Sequence, residues 1–249
     1  DHTENLIKGS IAVISDTSRL AYYSTTASNW LYVGTNSVVY TPPPSGPPVG
    51  DYVAWFDITS VDLGNSIWTD KSNNGHDGTI TGSPTIVSGS GNGATNTFDV
   101  LQGITSDSVS FSGLLPSTYT FFGVSRYSGS TKARIFTNPT PGDWLSGHWN
   151  ARSGTAYHGG FVNDNTDHYG DNWVISADQN YFYRPNGNTS LQGTSGSGYN
   201  GALGINTKSG ETSDWSVAEI IVYDRSLNAG EIADTESYLA TRYGITLGV

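Results

Sequence analysis

Between Asp51 and the C-terminus, apolar runs of four to nine residues recur, each closed by a cluster of Gly, Ser, Asn or Asp. They are Val53–Phe56, Thr97–Val100, Ser108–Phe111, Tyr119–Tyr127, Ala133–Phe136, Ala156–Phe161, Trp173–Ser176, Asn180–Tyr183, Gly201–Ile205 and Trp215–Tyr223. Runs this short fit strands, and the residues between them supply the backbone freedom and local hydrogen bonds that turns need. Ten or more strands so punctuated predict an all-β sandwich or barrel. One helix is expected near the C-terminus. There Asn228 and Glu231 make a capping-box-like start, Ile232, Leu239 and Tyr243 form an apolar stripe around Thr235 and Glu236, and Gly244 is placed to end it.

Pro42 to Pro48 holds five prolines in seven residues, which fix φ and remove backbone donors. This predicts a small β-meander over 1–40, a stiff Pro-rich linker over 41–50 and a larger domain over 51–249. Strands are expected at Ile11–Ile14, Leu20–Tyr23 and Trp30–Val33, with polar turns at Ser15–Ser18 and Ser24–Asn29. A meander this small buries too little to stand alone and should pack on a partner. The larger part can close a core without disulfides, and the chain has no cysteine, so its redox compartment stays open.

Formal charge is −11, with only 11 Lys and Arg thinly spread, which excludes the basic stripe a nucleic-acid binder needs. No stretch approaches the roughly 18 apolar residues of a membrane span, so no membrane insertion is expected. The N-terminus lacks the basic start and apolar run of a signal peptide, and methionine is absent throughout, so we expect a processed chain or a piece of a longer one.

Gly9 to Ala12, Asp16 to Leu20, Tyr22, Tyr23, Trp30 and Leu31 together resemble a short repeat of bacteriophage fibre and collar proteins. That resemblance implies trimers. The larger part is similar to the concanavalin A-like jelly rolls of the laminin G type found in phage and marine bacterial surface proteins. Three blocks carry the likeness: Trp68, Asp70 and the turn from Lys71 to Thr79, with Asn73 where the family has glycine; Gly123 to Arg126, Arg134 to Phe136, Trp144 to Trp149 and Ala156 to His158; and Trp215 to Asp224 followed by Tyr238 to Ile245. The resemblance implies two curved antiparallel sheets and, in many members, carbohydrate recognition.

Glycoside hydrolases on such sandwiches carry a Glu-x-Asp-x-(x)-Glu strand, because the chemistry needs two carboxyl groups flanking the bond. None of the five glutamates, Glu4, Glu211, Glu219, Glu231 and Glu236, begins that pattern. No His-Glu-x-x-His, phosphate loop or nucleophile elbow is present, so we expect a protein that is not an enzyme. Glu219 and Asp224, around the apolar Ile220–Tyr223, and the following Arg225 read as a buried pairing or cap.

The segment Trp144, His148, Trp149, Arg152, Tyr157 and His158 offers flat aromatic faces and planar polar groups among glycines, the combination that sugars favour. The alternative is that Trp144 and Trp149 are core residues and His158 a satisfied strand histidine. Asp164, Asp167 and Asp171, within Asn163 to Asp171, offer the oxygen ligands calcium favours, or else simply an Asx-rich turn. Asp70, Asn73, Asn74 and Asp77 form a weaker second candidate.

These readings combine into a virion-surface or extracellular protein, expected to be a homotrimer, whose partners are cell-surface glycans and other virion proteins. The alternatives are a structural or cementing virion component and a secreted bacterial adhesin without glycan binding.

Overall fold

The computed structural model describes residues 46–139 and 142–248, and residues 11–14, 19–24, 29–32 and 39–40 as backbone strands. The chain divides into two compact units, Asp1–Ser45 and Gly46–Val249.

In the first unit β1 (Ile11–Ile14), β2 (Arg19–Ser24), β3 (Asn29–Tyr32) and β4 (Val39–Tyr40) form an antiparallel sheet in sequence order. The fourth strand was not expected from the sequence: two residues beside a proline run carry no periodicity, and only pairing of Trp30 with Tyr40 and Leu31 with Val39 defines it. The turn expected at Ser15–Ser18, residues 25–28 of the turn expected at Ser24–Asn29, and residues 41–45 of the linker lie outside the described residues; Ser24 and Asn29 themselves are paired in β2 and β3.

The second unit is an antiparallel jelly-roll β-sandwich with one C-terminal helix. Its strands are β5 (Ala54–Asp57), β6 (Val61–Asp62), β7 (Ile67–Trp68), β8 (Gly78–Thr81), β9 (Thr85–Ser88), β10 (Asp99–Gly103), β11 (Ser108–Leu115) and β12 (Thr120–Tyr127). There follow β13 (Phe136–Thr137), β14 (Trp144–Trp149), β15 (Arg152–His158), β16 (Val174–Gln179), β17 (Phe182–Pro185), β18 (Gly201–Ile205), β19 (Trp215–Tyr223) and α1 (Ala229–Tyr243). One sheet has the order β17-β16-β12-β19-β10-β9, with β5 also beside β19. The other has the order β15-β14-β13-β18-β11-β8-β7-β6.

All nine residues of β19 are buried, because its sheet is covered on both faces. Trp215, Val217, Ile220 and Val222 face the inter-sheet core with Phe56, Trp68, Phe111, Phe121 and Phe136, while Ala218, Ile221 and Tyr223 join Phe122, Ile175, Ile232 and Leu239 under α1. The two faces do not alternate strictly. The register slips between Val124 and Ser125 of β12, which pair with Glu219 and Val217, leaving Ala218 as the extra residue. A bulge of this kind turns two consecutive residues to the same face, and so Glu219 follows Ala218 onto the helix side.

The helix is built as its sequence predicts. Asn228 accepts from the N–H groups of Gly230 and Glu231, the Glu231 carboxylate accepts from the Asn228 N–H, and Gly244 closes the helix at φ 66°. Such a cap contributes about 1 kcal/mol. The predicted residues Ile232, Thr235, Glu236, Leu239 and Tyr243 are buried, together with Tyr238. Arg184 on β17 clamps Glu236 in a bidentate pair at 2.9 and 2.6 Å, which ties the helix to an edge of its sheet. Asp70 closes the turn before β8, accepting from the backbone of Trp55, Ser72 and His76, while Asp77 accepts from the Asp70 N–H. Its oxygens are occupied in shaping the chain, so the second calcium candidate is a turn. No helix among the described residues is long and apolar enough to cross a membrane.

Candidate functional site

The aromatic segment singled out in the sequence forms a hairpin. Asn150 and Ala151 both take positive φ, 48° and 61°, the backbone a two-residue turn needs to match strand twist. Trp144 pairs with His158, Leu145 with Tyr157 and Trp149 with Arg152, with a register shift between Gly147 and His148. Because strand side chains alternate, this pairing sorts the six candidates onto two faces.

Trp144, His148 and His158 turn inward and are at most 1% exposed, so the structure corrects the expectation that they contact a ligand. Their polar atoms serve the interior. Trp144 Nε1 donates to the Tyr119 hydroxyl at 2.9 Å, and that hydroxyl donates to Asp178 at 3.0 Å. His158 lies 3.2 Å from Asp178 through Nε2 and 3.1 Å from the Asn180 carbonyl through Nδ1. Burial opposes a charge on His158, but the Asp178 carboxylate and the Asn180 carbonyl together outweigh it and raise its pKa. His148 has only the Ser125 hydroxyl, 3.3 Å from Nδ1, and burial pushes its pKa down to about 3.

Trp149, Arg152 and Tyr157 occupy the outer face and are partly exposed. There they meet Phe161, the last residue of the apolar run Ala156–Phe161, which lies beyond the end of β15. Its ring stands edge-on to Trp149 at 5.4 Å and to Tyr157 at 5.1 Å. The Arg152 guanidinium lies over the Trp149 ring at 5.4 Å. A cavity of about 250 Å³ is lined by the rings of Trp149, Tyr157 and Phe161, by the buried Leu145 and by Arg134, Asp143 and Glu211. Arg134 is 5% exposed and is held between Asp143, at 2.7 Å, and Glu211. The two carboxylates keep 51% and 40% of their side-chain surface open, so lone pairs remain for a ligand. Chemically, this is an apolar wall with a fixed polar anchor, the arrangement of a small-molecule site.

Arg134, Asp143, Phe161 and Glu211 come from four separate stretches of chain. No local spacing joins them, and only the sheet order, which lays β13 beside β14 and β18, brings them together.

The three aspartates proposed for calcium do not converge. Asp167 accepts from the N–H and hydroxyl of Ser153 and from the Gly170 N–H, Asp164 pairs with His168 at 2.5 Å, and Asp171 pairs with Lys132 at 2.6 Å. Each carboxylate therefore has its own partner. Among the described residues no group of three His, Cys, Asp or Glu is placed to hold a metal ion.

No family model and no curated protein matches the chain. Among solved structures, it is similar to domain 4 of AbnA, a GH43 extracellular arabinanase from Geobacillus stearothermophilus in complex with arabinotriose, at 15% identity and TM-score 0.53, over 75% of this chain and 98% of that one. It is also similar to Trypanosoma rangeli sialidase in complex with 2,3-difluoro-KDN, at 14% identity and TM-score 0.52, over 96% of this chain and 45% of that one. A third likeness is to the binding domain of Paraclostridial Mosquitocidal Protein 1, at 11% identity and TM-score 0.50, over 77% and 52%. The chain thus spans about half the length of the last two. At these identities the shared property is the β-sandwich fold.

Proposed function

We propose that the second unit binds carbohydrate on the outer face of β14 and β15 and does not cleave it. The observation that carries this reading is the cavity lined by three partly exposed rings and by an arginine fixed between two open carboxylates. Aromatic faces pack against the C–H surface of a sugar ring, and charged acceptors and donors orient its hydroxyls. The likeness to an arabinanase domain in complex with arabinotriose adds support at the level of fold alone.

The non-catalytic part of the proposal rests on the carboxylates. Asp143 and Glu211 are both engaged by the one guanidinium of Arg134, whereas glycoside hydrolysis needs one carboxyl group of a pair to deliver a proton.

Trp149→Ala and Tyr157→Ala should each weaken glycan binding by tenfold or more, about 1.4 kcal/mol, with an unchanged near-ultraviolet circular dichroism spectrum. A glycan array on the full chain followed by calorimetry on the strongest hit provides the measurement. Binding that survives both substitutions removes this aromatic shelf, the outer face of β14 and β15 around Trp149, as the site.

The wider role in this proposal is attachment to cell-surface glycans from a virion or another extracellular surface, in the company of other virion proteins, with the N-terminal unit making a trimer. It draws on the fibre-like and laminin G-like motifs of the sequence. Light scattering on the full chain and on residues 46–249 should give a trimer and a monomer. A monomer in both cases ends the trimer reading.

A further inference from the structure

We infer that the second unit carries a second saccharide site, for an uncharged sugar, around Tyr181 at the turn between β16 and β17. It shares no residue with the Trp149 shelf and does not depend on it.

The first observation is Tyr181 itself. Gln179 pairs with Phe182, so Asn180 and Tyr181 form the two-residue turn of this hairpin. Such positions ordinarily hold small polar residues. Here one holds a tyrosine that is 60% exposed, the most exposed large apolar residue among those described.

The second observation is the concavity beside it. Tyr181, Tyr199 and Gly198 border a depression of about 480 Å³, closed by Ser117, Asn180 and Asn200. None of its eight lining residues carries a charge. A ligand here would gain nothing from bearing one, and an anion would also meet the net charge of −11 of the chain. What the wall offers is ring faces, hydroxyls and amides, which suits a neutral oligosaccharide.

The third observation is that two walls are already fixed from behind. Asn180 accepts from the Tyr119 N–H at 3.3 Å, and its amide donates to the carbonyls of Ser117 and Tyr199 at 3.1 and 3.4 Å. Its backbone carbonyl meets His158, the buried partner of Asp178. The Tyr199 ring stacks on the buried Trp144 ring at 6.0 Å and 22°, and its hydroxyl donates to the Ala202 carbonyl at 3.1 Å. Gly198 keeps the floor low: a Cβ there would stand 3.1 Å from the Asn180 amide nitrogen and 3.4 Å from the Tyr181 hydroxyl. Walls already ordered lose little freedom when a ligand arrives, which favours binding even where few contacts are made. The inward-facing Trp144 and His158 therefore support this second site from beneath.

The test is a titration of the full chain, labelled with nitrogen-15, with cellotriose, arabinotriose and trigalacturonate, read by amide chemical shifts. Either neutral trisaccharide is expected to shift the signals of Tyr181, Tyr199 and Asn200. Tyr181→Ala should weaken that response about tenfold, while Trp149→Ala leaves it intact. Tyr181 lies at an exposed turn, and an unchanged melting temperature checks that the variant folds. The site is overturned if neither neutral sugar shifts these signals, if trigalacturonate alone does, or if Tyr181→Ala leaves the response unchanged. A titration that shifts the signals of Tyr181, Tyr199 and Asn200 but not those of Trp149 and Tyr157 would support this site and count against the Trp149 cavity alone.

Discussion

Replacing Glu219 with alanine is expected to lower the unfolding free energy of the second unit by about 3–5 kcal/mol, the cost of leaving the partners of a buried charge without it. The Glu219 carboxylate is fully buried beneath the helix and accepts from Trp55 Nε1 at 2.8 Å, the Tyr238 hydroxyl at 2.9 Å and the Tyr243 hydroxyl at 2.6 Å. Arg242 Nε lies 3.5 Å away, and the same guanidinium donates to Asp57 at 2.8 Å, where Lys71 also donates at 2.8 Å. Burial raises the pKa of Glu219, and Arg242 with the three donors counters it. Alanine would leave an indole N–H, two phenol hydroxyls and part of a guanidinium without an acceptor. For a domain of this size the loss corresponds to a fall in melting temperature of about 6–20 °C. Urea unfolding of Glu219→Ala, Arg242→Ala and the double variant measures it. The double variant should lose clearly less than the sum of the singles, since the two groups share one network. A loss below about 1 kcal/mol for Glu219→Ala, or strict additivity, would show that this buried network contributes little to holding the helix.

The second large effect is on the pH dependence of stability. Burial holds the folded-state pKa of His148 at about 3, against an ordinary value of 6.5 in the unfolded chain. Between those values the unfolded state binds a proton that the folded state refuses, so stability falls as pH drops below 6.5, by up to about 1.4 kcal/mol per pH unit. His158 has the opposite sign. Its raised pKa gives a contribution that is complete below 6.5 and lost as pH rises through the folded value. Two histidines on neighbouring strands thus oppose each other, and their combined contribution to stability peaks near pH 6–7. The raised pKa values of the buried Glu219 and Glu236 work against the acid decline, since protonation of the folded state favours it as pH falls towards 4.5. The diagnostic quantity is therefore the difference in slope between parent and variant. His148→Gln should flatten the decline between pH 6.5 and 4, and His158→Gln the decline above 6.5, in denaturant midpoints across pH. Equal slopes in parent and His148→Gln would mean that water reaches the ring.

How legible the site was depended on the order of the interactions that build it. The hairpin of β14 and β15 was visible as a cluster of aromatic and polar residues. Which of them face outward was not, because one bulge changes the face of every residue beyond it. Glu219 shows the same effect: in strict alternation with Val217 it would point into the inter-sheet core, and the extra residue Ala218 turns it to the helix instead. Phe161, Arg134, Asp143 and Glu211 carry no sequence signal as a group, since strand pairing joins residues far apart in the chain.

The sequence by itself determined the β class, the punctuation of the strands and the one helix with its cap, stripe and closing glycine, because turn chemistry, capping and apolar periodicity act over a few residues. Tertiary structure alone decided that Trp144, His148 and His158 are interior, that Asp164, Asp167 and Asp171 each find a separate partner, and that Trp149, Tyr157 and Phe161 share one cavity. Those outcomes depend on sheet order and register, and register is fixed by long-range pairing that no stretch of this chain contains by itself.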